Sequence, residues 1–422
     1  MALHGQGVAE GGARPLSLTE AIRLARLNSP LTIAARGQVR SSDAATRSAF
    51  GTFLPTLSIN AGGTRSSGSN TNPGGGLDRI QFPWNFSRGL QSNIEIFDGG
   101  RRWYNYRSAQ ANQGAAEFNQ RLQDYRVALE VKQQFFNILA ARESRAAAEA
   151  QVAQAQEQLK AANARLAAGA ATKSDSLRSI IAVGNGQLAV LQADNNLRVA
   201  NANLTRLVGT TFQVTADANE LEAIPTVAID SAQLLRWVEE SPTVASARSQ
   251  IRASQSAIRA AKTPYMPTFS LGFGLSGNRP ATGFEPIAGE YGGQNSLRLT
   301  LNYPIFNGLQ REENITRADV ALDNAQAQLR DARLTTEQQL TTLLGSLRLA
   351  EARIAIQLAS VEAGEEDLRV QNQRYSLGAS TLLDVLTSQS TLNQSRFSLI
   401  QARYEARSAR AQIEALVGRD LP

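Results

Sequence analysis

Few residues in this sequence have the chemistry of an enzyme active site. Cysteine is absent, and the only histidine among the 422 residues is His4, in a Gly-rich start that is predicted to be disordered. Disulfides, thiolate metal sites and cysteine nucleophiles are therefore excluded. Catalytic triads, histidine metal sites and histidine acid–base catalysis are strongly disfavoured.

Adjacent carboxylates are the remaining candidates for acid–base catalysis. They occur at Glu312-Glu313 and Glu365-Glu366, within stretches rich in Ala, Gln, Arg and Leu that predict exposed helix faces. The glycine runs at 74–76 and 99–100 lack the Lys-Ser/Thr of a phosphate-binding P-loop. The sequence therefore predicts a protein that is not an enzyme and has no cofactor and no metal site.

Composition and charge limit which non-enzymatic classes of protein the chain can belong to. With 42% hydrophobic and 19% charged residues, the chain is expected to fold. Its net charge of +6 comes from scattered arginines, so nucleic acid is not an expected partner. No stretch approaches the roughly 18–20 apolar residues of a membrane-spanning helix. Residues 1–13 lack the features of a signal peptide, which leaves a cytosolic protein or a mature chain without its signal.

An internal duplication organises the chain. Residues 28–62 align with 240–274 through matching Ser-Pro and Pro-Thr pairs, and later matches, such as Gly169 with Gly378, keep an almost constant offset. We therefore interpret the chain as two copies of one unit. The predicted divisions are a disordered N-terminus at 1–14, repeats at 15–209 and 231–418, and a connector or equatorial segment at 210–230.

Each copy contains two strands with strict alternation of apolar and polar residues. The pairs are 54–65 with 86–97 and 267–279 with 294–304, and each pair has one apolar face. Long Gly/Ser/Asn/Pro loops separate the partners. Residues 52–97 and 267–304 are therefore predicted to hold amphipathic strand pairs and the loops that connect them.

Helices make up the rest of each copy. They are predicted at about 17–50, 100–168 and 172–208 in the first copy, and at about 231–263, 310–377 and 380–416 in the second. The longest could each extend ~100 Å at 1.5 Å per residue. Each long helix and its return helix form a hairpin, joined by an elbow that contains a glycine.

The last return helix carries two apolar stripes. One repeats every seven residues, as in a coiled coil: Val385, Leu392, Leu399, Ala406 and Ile413. The other lies on the opposite side: Leu383, Ser390, Phe397, Tyr404 and Ala411. Polar faces separate the stripes, which predicts a helix in the wall of a hollow cylinder, with a neighbouring helix on each side. The alternative is one wide apolar face in an ordinary bundle.

Four strands cannot close a membrane barrel alone, because the smallest barrels have about eight. A barrel would have to be shared between subunits, with apolar faces towards lipid and polar faces towards a lumen. The alternative, a soluble sandwich resting on helices, gives no role to the long hairpins.

These features resemble the TolC family of outer-membrane factors. The resemblance rests on the duplicated "SP…FLPTLS" and "SP…YMPTFS" entries, "LNYPIFNGLQREENITRA" at 301–318, "VALEVKQQFFNILAARE" at 127–143 and "RYSLGASTLLDVLTSQSTL" at 374–392. It covers about residues 15–418. It implies a mainly α fold with β, in which coiled-coil hairpins form an α-barrel and four strands per chain enter a trimeric twelve-stranded transmembrane β-barrel. Residues 52–97 and 267–304 would then hold the outer-membrane strands and extracellular loops.

The family's role is the implied function. It is an exit duct in the outer membrane of a Gram-negative bacterium, with a long periplasmic extension, serving a tripartite efflux pump or a type I secretion system. The expected partners are two further copies of the chain, outer-membrane lipid, a periplasmic adaptor and, through it, an inner-membrane transporter. The cargo is not encoded here. The rival interpretation is a periplasmic or cytosolic coiled-coil scaffold or adaptor without a pore.

The elbows are the predicted adaptor-docking tips, since two per chain would give a trimer six similar tips for a hexameric adaptor. The residues expected to make contact are Arg165, Leu166 and Gly169 in one tip and Arg374, Leu377 and Gly378 in the other. The alternative is a plain helix turn.

The resemblance also implies a periplasmic gate at Asp384, Thr387, Tyr375 and Asp175. Three Asp384 carboxylates near one axis should either hold cations or share protons through raised pKa values. Many relatives carry a second Asp at the position of Thr387 and a basic residue at that of Ser380, so a less tightly linked closed state is expected here. The alternative is that Asp384 is an ordinary acid in a first helical turn.

Overall fold

The computed structural model describes residues 13–71, 74, 75, 77–217, 231–286 and 289–421. His4, most of the predicted disordered N-terminus and residues 218–230 of the predicted connector lie outside these residues. The described residues fall into two compact units. The first contains the residues up to Gln38 with Glu117–Ala245 and the residues from Arg330 onward, and the second contains Val39–Ala116 and Ser246–Leu329.

The element order repeats, as the duplication predicts. The first half contains β1 Arg14–Leu16, α1 Leu18–Asn28, α2 Pro30–Gly51, β2 Thr56–Thr64, β3 Ser67–Thr71, β4 Leu77–Gln81, β5 Trp84–Phe97, α3 Arg101–Ala167 and α4 Lys173–Val208. The second contains β6 Val214–Ala216, α5 Ser231–Glu239, α6 Pro242–Lys262, β7 Thr268–Ala281, β8 Gly292–Asn302, α7 Gln310–Ser376 and α8 Leu382–Val417.

The single helices predicted at 17–50 and 231–263 are each two helices, which corrects that prediction. The breaks fall at the two Ser-Pro pairs, so that Pro30 begins α2 and Pro242 begins α6. Proline disfavours the helical conformation at the residue before it and suits a first helical position. Ser29 accordingly has extended backbone angles, φ −64° and ψ 129°.

The predicted strands form one antiparallel sheet in the second unit, in the order β2-β5-β7-β8. The two strand pairs were predicted as separate, and this is wrong, because β5 also pairs with β7 from Trp84↔Ala281 to Phe97↔Phe269. The first long loop also holds a hairpin of its own, β3 with β4. Residues opposite each other, such as Leu90↔Leu275 and Leu271↔Leu299, lie on the same face, so the apolar residues of all four strands share one face.

The strand β6 begins at Val214 within the predicted connector, and it pairs in parallel with β1. Val214 and Ala216 are fully buried. They pack in a core of the first unit with residues of α1, α3, α4 and α8, which include Phe135, Leu204 and Tyr404.

The apolar pattern of α8 is confirmed for one stripe. Val385, Leu392, Leu399, Ala406 and Ile413 are all buried. The other stripe is buried only at Tyr404 and Ala411, while Leu383 at the elbow end is 53% exposed. A second heptad series is buried on α4: Ser179, Gly186, Ala193 and Ala200. Its small side chains let α4 approach α3 closely, since a Cβ at Gly186 would lie 3.0 Å from Val152 Cγ2.

No helix in the described part of the chain has the length and apolar character needed to cross a membrane.

Candidate functional site: the two elbows of the helical hairpins

The two elbows have the same backbone construction. In the first, the Ala170 N–H donates to the Arg165 carbonyl at 2.8 Å and the Gly169 N–H donates to the Leu166 carbonyl at 3.0 Å. In the second, Ala379 donates to Arg374 at 2.8 Å and Gly378 to Tyr375 at 3.2 Å. These paired bonds form the Schellman motif, which requires a left-handed residue after the helix. Gly169 has φ 74° and Gly378 has φ 73°, a conformation that a side chain disfavours.

Each return helix then begins with a capping box. The Thr381 hydroxyl accepts from the Asp384 N–H, and Asp384 Oδ2 accepts from the Thr381 N–H at 2.9 Å. Thr172 and Asp175 make the same reciprocal contacts at the first elbow. Threonine followed three residues later by an acid satisfies two backbone donors that the helix leaves free.

The hydrogen bonds of the two capping boxes favour the ionised form of Asp384 and of Asp175. Hydrogen bonds from the Thr381 backbone N–H and hydroxyl, with a third from the Ser380 hydroxyl at 3.0 Å, hold the pKa of Asp384 below its usual value. The Thr172 backbone N–H and hydroxyl likewise lower the pKa of Asp175. Within one protomer the geometry thus favours ionised carboxylates at both elbows.

The predicted tip residues differ in their accessibility. Leu377 is 83% exposed, and Arg374 is exposed with its guanidinium 3.4 Å from the Ala379 carbonyl. Leu166 is half-buried. Nothing lies within 4 Å of a Cβ built at Gly169 or Gly378, so the backbone of both turns faces open space.

Arg165 connects the two elbows. Its guanidinium lies 4.4 Å from the centre of the Tyr375 ring and its Nη1 donates to the Tyr375 carbonyl at 3.0 Å. Sequence reasoning assigned Arg165 to docking and missed this contact between residues 210 positions apart. The duplication carried a signal, because Tyr375 is aligned with Leu166 and is therefore the aromatic residue present in only one elbow.

The other predicted gate residues are not joined to Tyr375 within the chain. The Asp175 carboxylate accepts a hydrogen bond from the Thr172 hydroxyl, and the Thr387 hydroxyl donates to the Leu383 carbonyl at 2.8 Å. The buried Tyr375 hydroxyl has no hydrogen-bond partner among the described residues. Asp384 and Thr387 are both exposed, one turn apart on α8.

The candidate carboxylate pairs are engaged in helix-surface contacts. Glu365 accepts from Arg396 at 2.7 Å and Glu366 pairs with Arg369. Glu312 accepts from the Tyr265 hydroxyl at 2.7 Å, and Glu313 pairs with Arg317. In the described part of the chain, His, Asp and Glu form no group that could hold a metal ion.

Comparison with known families gives one match. The family model described as "Outer membrane efflux protein" matches residues 21–210 and 236–419, which include both elbows and leave out all but the first residue of the predicted connector.

Individual relatives have low sequence identity to this chain but align with most of its length. The pyoverdine export outer membrane protein OpmQ of Pseudomonas aeruginosa is 26% identical, over 95% of this chain and 83% of that protein. The cobalt-zinc-cadmium resistance protein CzcC of Cupriavidus metallidurans is 24% identical, over 78% of this chain and 76% of that protein. The solved structure of CusC, described as bearing on folding and transmembrane channel formation, is 19% identical with a TM-score of 0.82, over 98% of this chain and 95% of that one. This last likeness concerns the fold.

Proposed function

This chain belongs to the outer membrane efflux protein family, and we propose that it acts as a homotrimer gated at its elbows. It is an outer-membrane protein of the TolC type with a periplasmic extension, and it serves as the exit duct of a tripartite efflux pump or a type I secretion system. The names of the relatives cover pyoverdine export and metal resistance, so the cargo varies among proteins of this architecture.

One observation carries the trimer proposal. The sheet has four strands, and β2 and β8 are its edges. On its apolar face, Ile59, Leu297 and Leu299 are 68% to 81% exposed. An exposed edge strand presents unpaired N–H and C=O groups, which are a ready template for pairing with another chain. Three copies joined β8 to β2 supply twelve strands, which suffice to close.

The helices support the same assembly. On α4, apolar side chains are exposed on the flank opposite its small-residue seam with α3: Leu177, Ile180, Ile181, Leu188 and Leu191. On α7, Leu349 and Ile356 are exposed at a spacing of one heptad. Two different apolar flanks on one chain suit a head-to-tail ring, in which α4 of one copy packs against α7 of the next.

The elbows supply the proposed docking and gating sites. Six tips in a trimer match a hexameric adaptor, with Leu377, Arg374 and the glycine turns as the exposed contacts. For the gate we propose three ionised Asp384 carboxylates near the axis. Tyr375, whose hydroxyl is unpartnered in the protomer, is proposed to contact a neighbouring hairpin.

We also propose that the protein transports without catalysis, since its family members are transport channels. The engaged carboxylate pairs support this.

Native mass spectrometry of detergent-extracted protein tests the proposal. We expect a trimer, recovered from the membrane fraction, that conducts ions in planar bilayers. A monodisperse monomer would contradict the trimer. A trimer that stays in the aqueous fraction and does not conduct would favour the rival function, a coiled-coil scaffold without a pore.

A further inference from the structure

The apolar face of the sheet ends in arginine on the side away from the long helices. Along β5 this face carries Leu90 and then Arg88, which lies opposite Gly277 of β7. Two residues after Gly277 on β7, Arg279 lies opposite Phe86 of β5. Since alternate residues share a face, both arginines stand on the same surface as the leucines.

Arg88 is exposed and is held in place by an aromatic ring. Its guanidinium lies 4.0 Å from the centre of the Tyr291 ring. No carboxylate of the described residues forms an ion pair with it. Small neighbours leave room around its stem, because Gly277 lies opposite on β7 and Ala61 opposite on β2. A Cβ at Gly277 would lie 3.8 Å from Arg88 Cγ and 3.1 Å from Tyr291 Cβ.

Aromatic residues and a second arginine surround this position. Phe86 is 2% exposed, beneath Trp84 at 5.7 Å and Phe284 at 5.6 Å between ring centres. Arg279 donates to the Glu285 carbonyl, and its Nη1 lies 4.0 Å from the Glu285 carboxylate, which is 64% exposed. Arg279 thus carries a partly balanced charge, whereas no carboxylate among the described residues balances the charge of Arg88.

The depth of Arg88 is that of a membrane interface. From Phe269 to Gly277 the face advances eight residues along β7, which is about 27 Å at ~3.4 Å per residue. With a strand tilt of about 40° this becomes roughly 21 Å along the membrane normal, close to the ~25 Å apolar band of membrane strands. An arginine is costly at the midplane of such a band and tolerated at its rim. Because the long helices are periplasmic, this rim belongs to the outer leaflet.

We propose that Arg88, stacked on Tyr291 and flanked by Arg279, binds a phosphate group of an outer-leaflet lipid, which in the outer membrane is the phosphorylated headgroup of lipopolysaccharide. The acyl chains lie on the rows of Leu90, Leu275 and Leu297. Charge complementarity and continuity with the apolar face select this occupant, since a guanidinium makes charge-assisted hydrogen bonds to phosphate oxygens. The inference rests on the proposed function, because it requires this face to meet lipid.

The test compares lipid binding to the full-length protein in detergent by native mass spectrometry, with bisphosphorylated lipid A as the probe. Arg88→Gln should lower its affinity about tenfold, the scale of one lost charge-assisted contact. Tyr291→Leu, which removes the ring beneath Arg88, should also lower it. Arg298→Gln is the matched control, since Arg298 lies opposite Gly272 on the polar face of the same sheet, and it should bind as the wild type does.

Two further probes identify the ligand. Dephosphorylated lipid A should bind wild type and Arg88→Gln equally, and inorganic phosphate should not displace lipid A at equal concentration. Unchanged lipid A affinity in Arg88→Gln, an equal loss in Arg298→Gln, or displacement by inorganic phosphate would overturn the site. Arg88→Gln should keep trimer assembly and conductance. Wild-type protein that fails to enter the membrane fraction would refute the proposed function as well, and so the two failures are distinguishable.

Discussion

Asp384 illustrates how one residue can have a structural and a functional role together. Its carboxylate closes the capping box of α8, which is the ordinary role considered from sequence, and it is also exposed at the elbow, where the gate is proposed. The hydrogen bonds of the cap favour the ionised form, so of the two behaviours considered for three converging carboxylates, cation binding is the one that the protomer supports.

The pH dependence of cation selectivity tests this charge state. A lowered pKa means that Asp384 is ionised, and its hydrogen bonds stabilise the fold, at every pH above about 3.9, the ordinary aspartate value. This contribution disappears as the pH falls through the lowered value. Selectivity in planar bilayers should therefore stay constant from pH 8 to 5 and fall only below about pH 4. A midpoint well above pH 4 would indicate proton sharing instead.

Removing the charge is the complementary experiment. Asp384→Ala should weaken cation selectivity and block by multivalent cations, because the charge at the constriction is lost. Thr381→Ala removes the other member of the same capping box while keeping the Asp384 charge, and is the control for loss of a cap. Equal conduction properties in wild type and Asp384→Ala would place the constriction elsewhere on α8.

Tyr375 allows its ring and its hydroxyl to be tested separately. Tyr375→Leu removes the ring that stacks on Arg165, and it should raise the open probability of the channel by freeing the two elbows from each other. Tyr375→Phe keeps the ring and removes only the hydroxyl. A higher open probability in Tyr375→Phe would identify a hydrogen bond from the hydroxyl to a neighbouring hairpin. A wild-type open probability in Tyr375→Phe would assign the effect of Tyr375→Leu to the loss of the ring. If neither variant changes gating, Tyr375 does not hold the elbows closed.

At the scale of elements, the elbow turns depend on two glycines. Gly169→Val with Gly378→Val places a β-branched side chain at positive φ twice, and each should strain its turn by about 1–2 kcal/mol. We expect loss of export with the trimer intact, because the long helices are untouched. Gly37→Val is the control: Gly37 lies within α2 and has nothing within 4 Å of a built Cβ. Normal export by the double variant would contradict tip docking.

A largely buried ion pair joins Lys132 of α3 to Glu414 of α8. Lys132 Nζ lies 2.5 Å from Glu414 Oε2, and their side chains are 18% and 9% exposed. Glu414 Oε1 also accepts from the Leu421 N–H at 3.3 Å, which holds the end of the described chain against α8.

Breaking this pair should destabilise the protein. Glu414→Gln leaves the mostly buried Lys132 with only the more distant Asp420 carboxylate, 3.9 Å away, as a charge partner, and should cost up to about 3 kcal/mol in the free energy of unfolding. The matched control is Glu157→Gln, which breaks the Lys160–Glu157 pair, where both side chains are more than 70% exposed, and should cost no more than about 0.5 kcal/mol. Unfolding followed by circular dichroism measures both. Equal effects would mean that burial does not strengthen the Lys132 contact.

At the scale of the whole molecule, the ring is proposed to close through the apolar flank of α4. Leu188 is 54% exposed on that flank. Leu188→Glu buries a charge if α4 packs against a neighbouring copy, and it should shift the trimer towards monomer in native mass spectrometry. Asn185→Glu adds the same charge one turn earlier, where Asn185 lines the groove towards α8, and should leave the trimer intact. A trimer unaffected by Leu188→Glu would exclude this flank from the interface.

Local sequence patterns were enough to predict the features that depend on local interactions. The long helices end within a residue of their predicted bounds, because Gly169 and Gly378 permit the turn and Thr-x-x-Asp caps the next helix. The alternation in the strands assigned the apolar face, since period 2 places alternate side chains together. The heptad from Val385 to Ile413 identified the buried side of α8. The Ser-Pro helix breaks were also local, and proline chemistry could have predicted them.

Contacts between segments far apart in the chain could not be predicted from local patterns. The pairing of β5 with β7, which makes one sheet of two predicted pairs, joins residues that are 172 to 197 positions apart. The Arg165–Tyr375 stack and the Lys132–Glu414 pair span 210 and 282 positions. Arg88 became distinctive only once the register set it beside Leu90 and over Tyr291. Periodicity specifies which face of an element is apolar, but partner choice depends on packing and desolvation summed over the folded chain, and no local pattern encodes that sum.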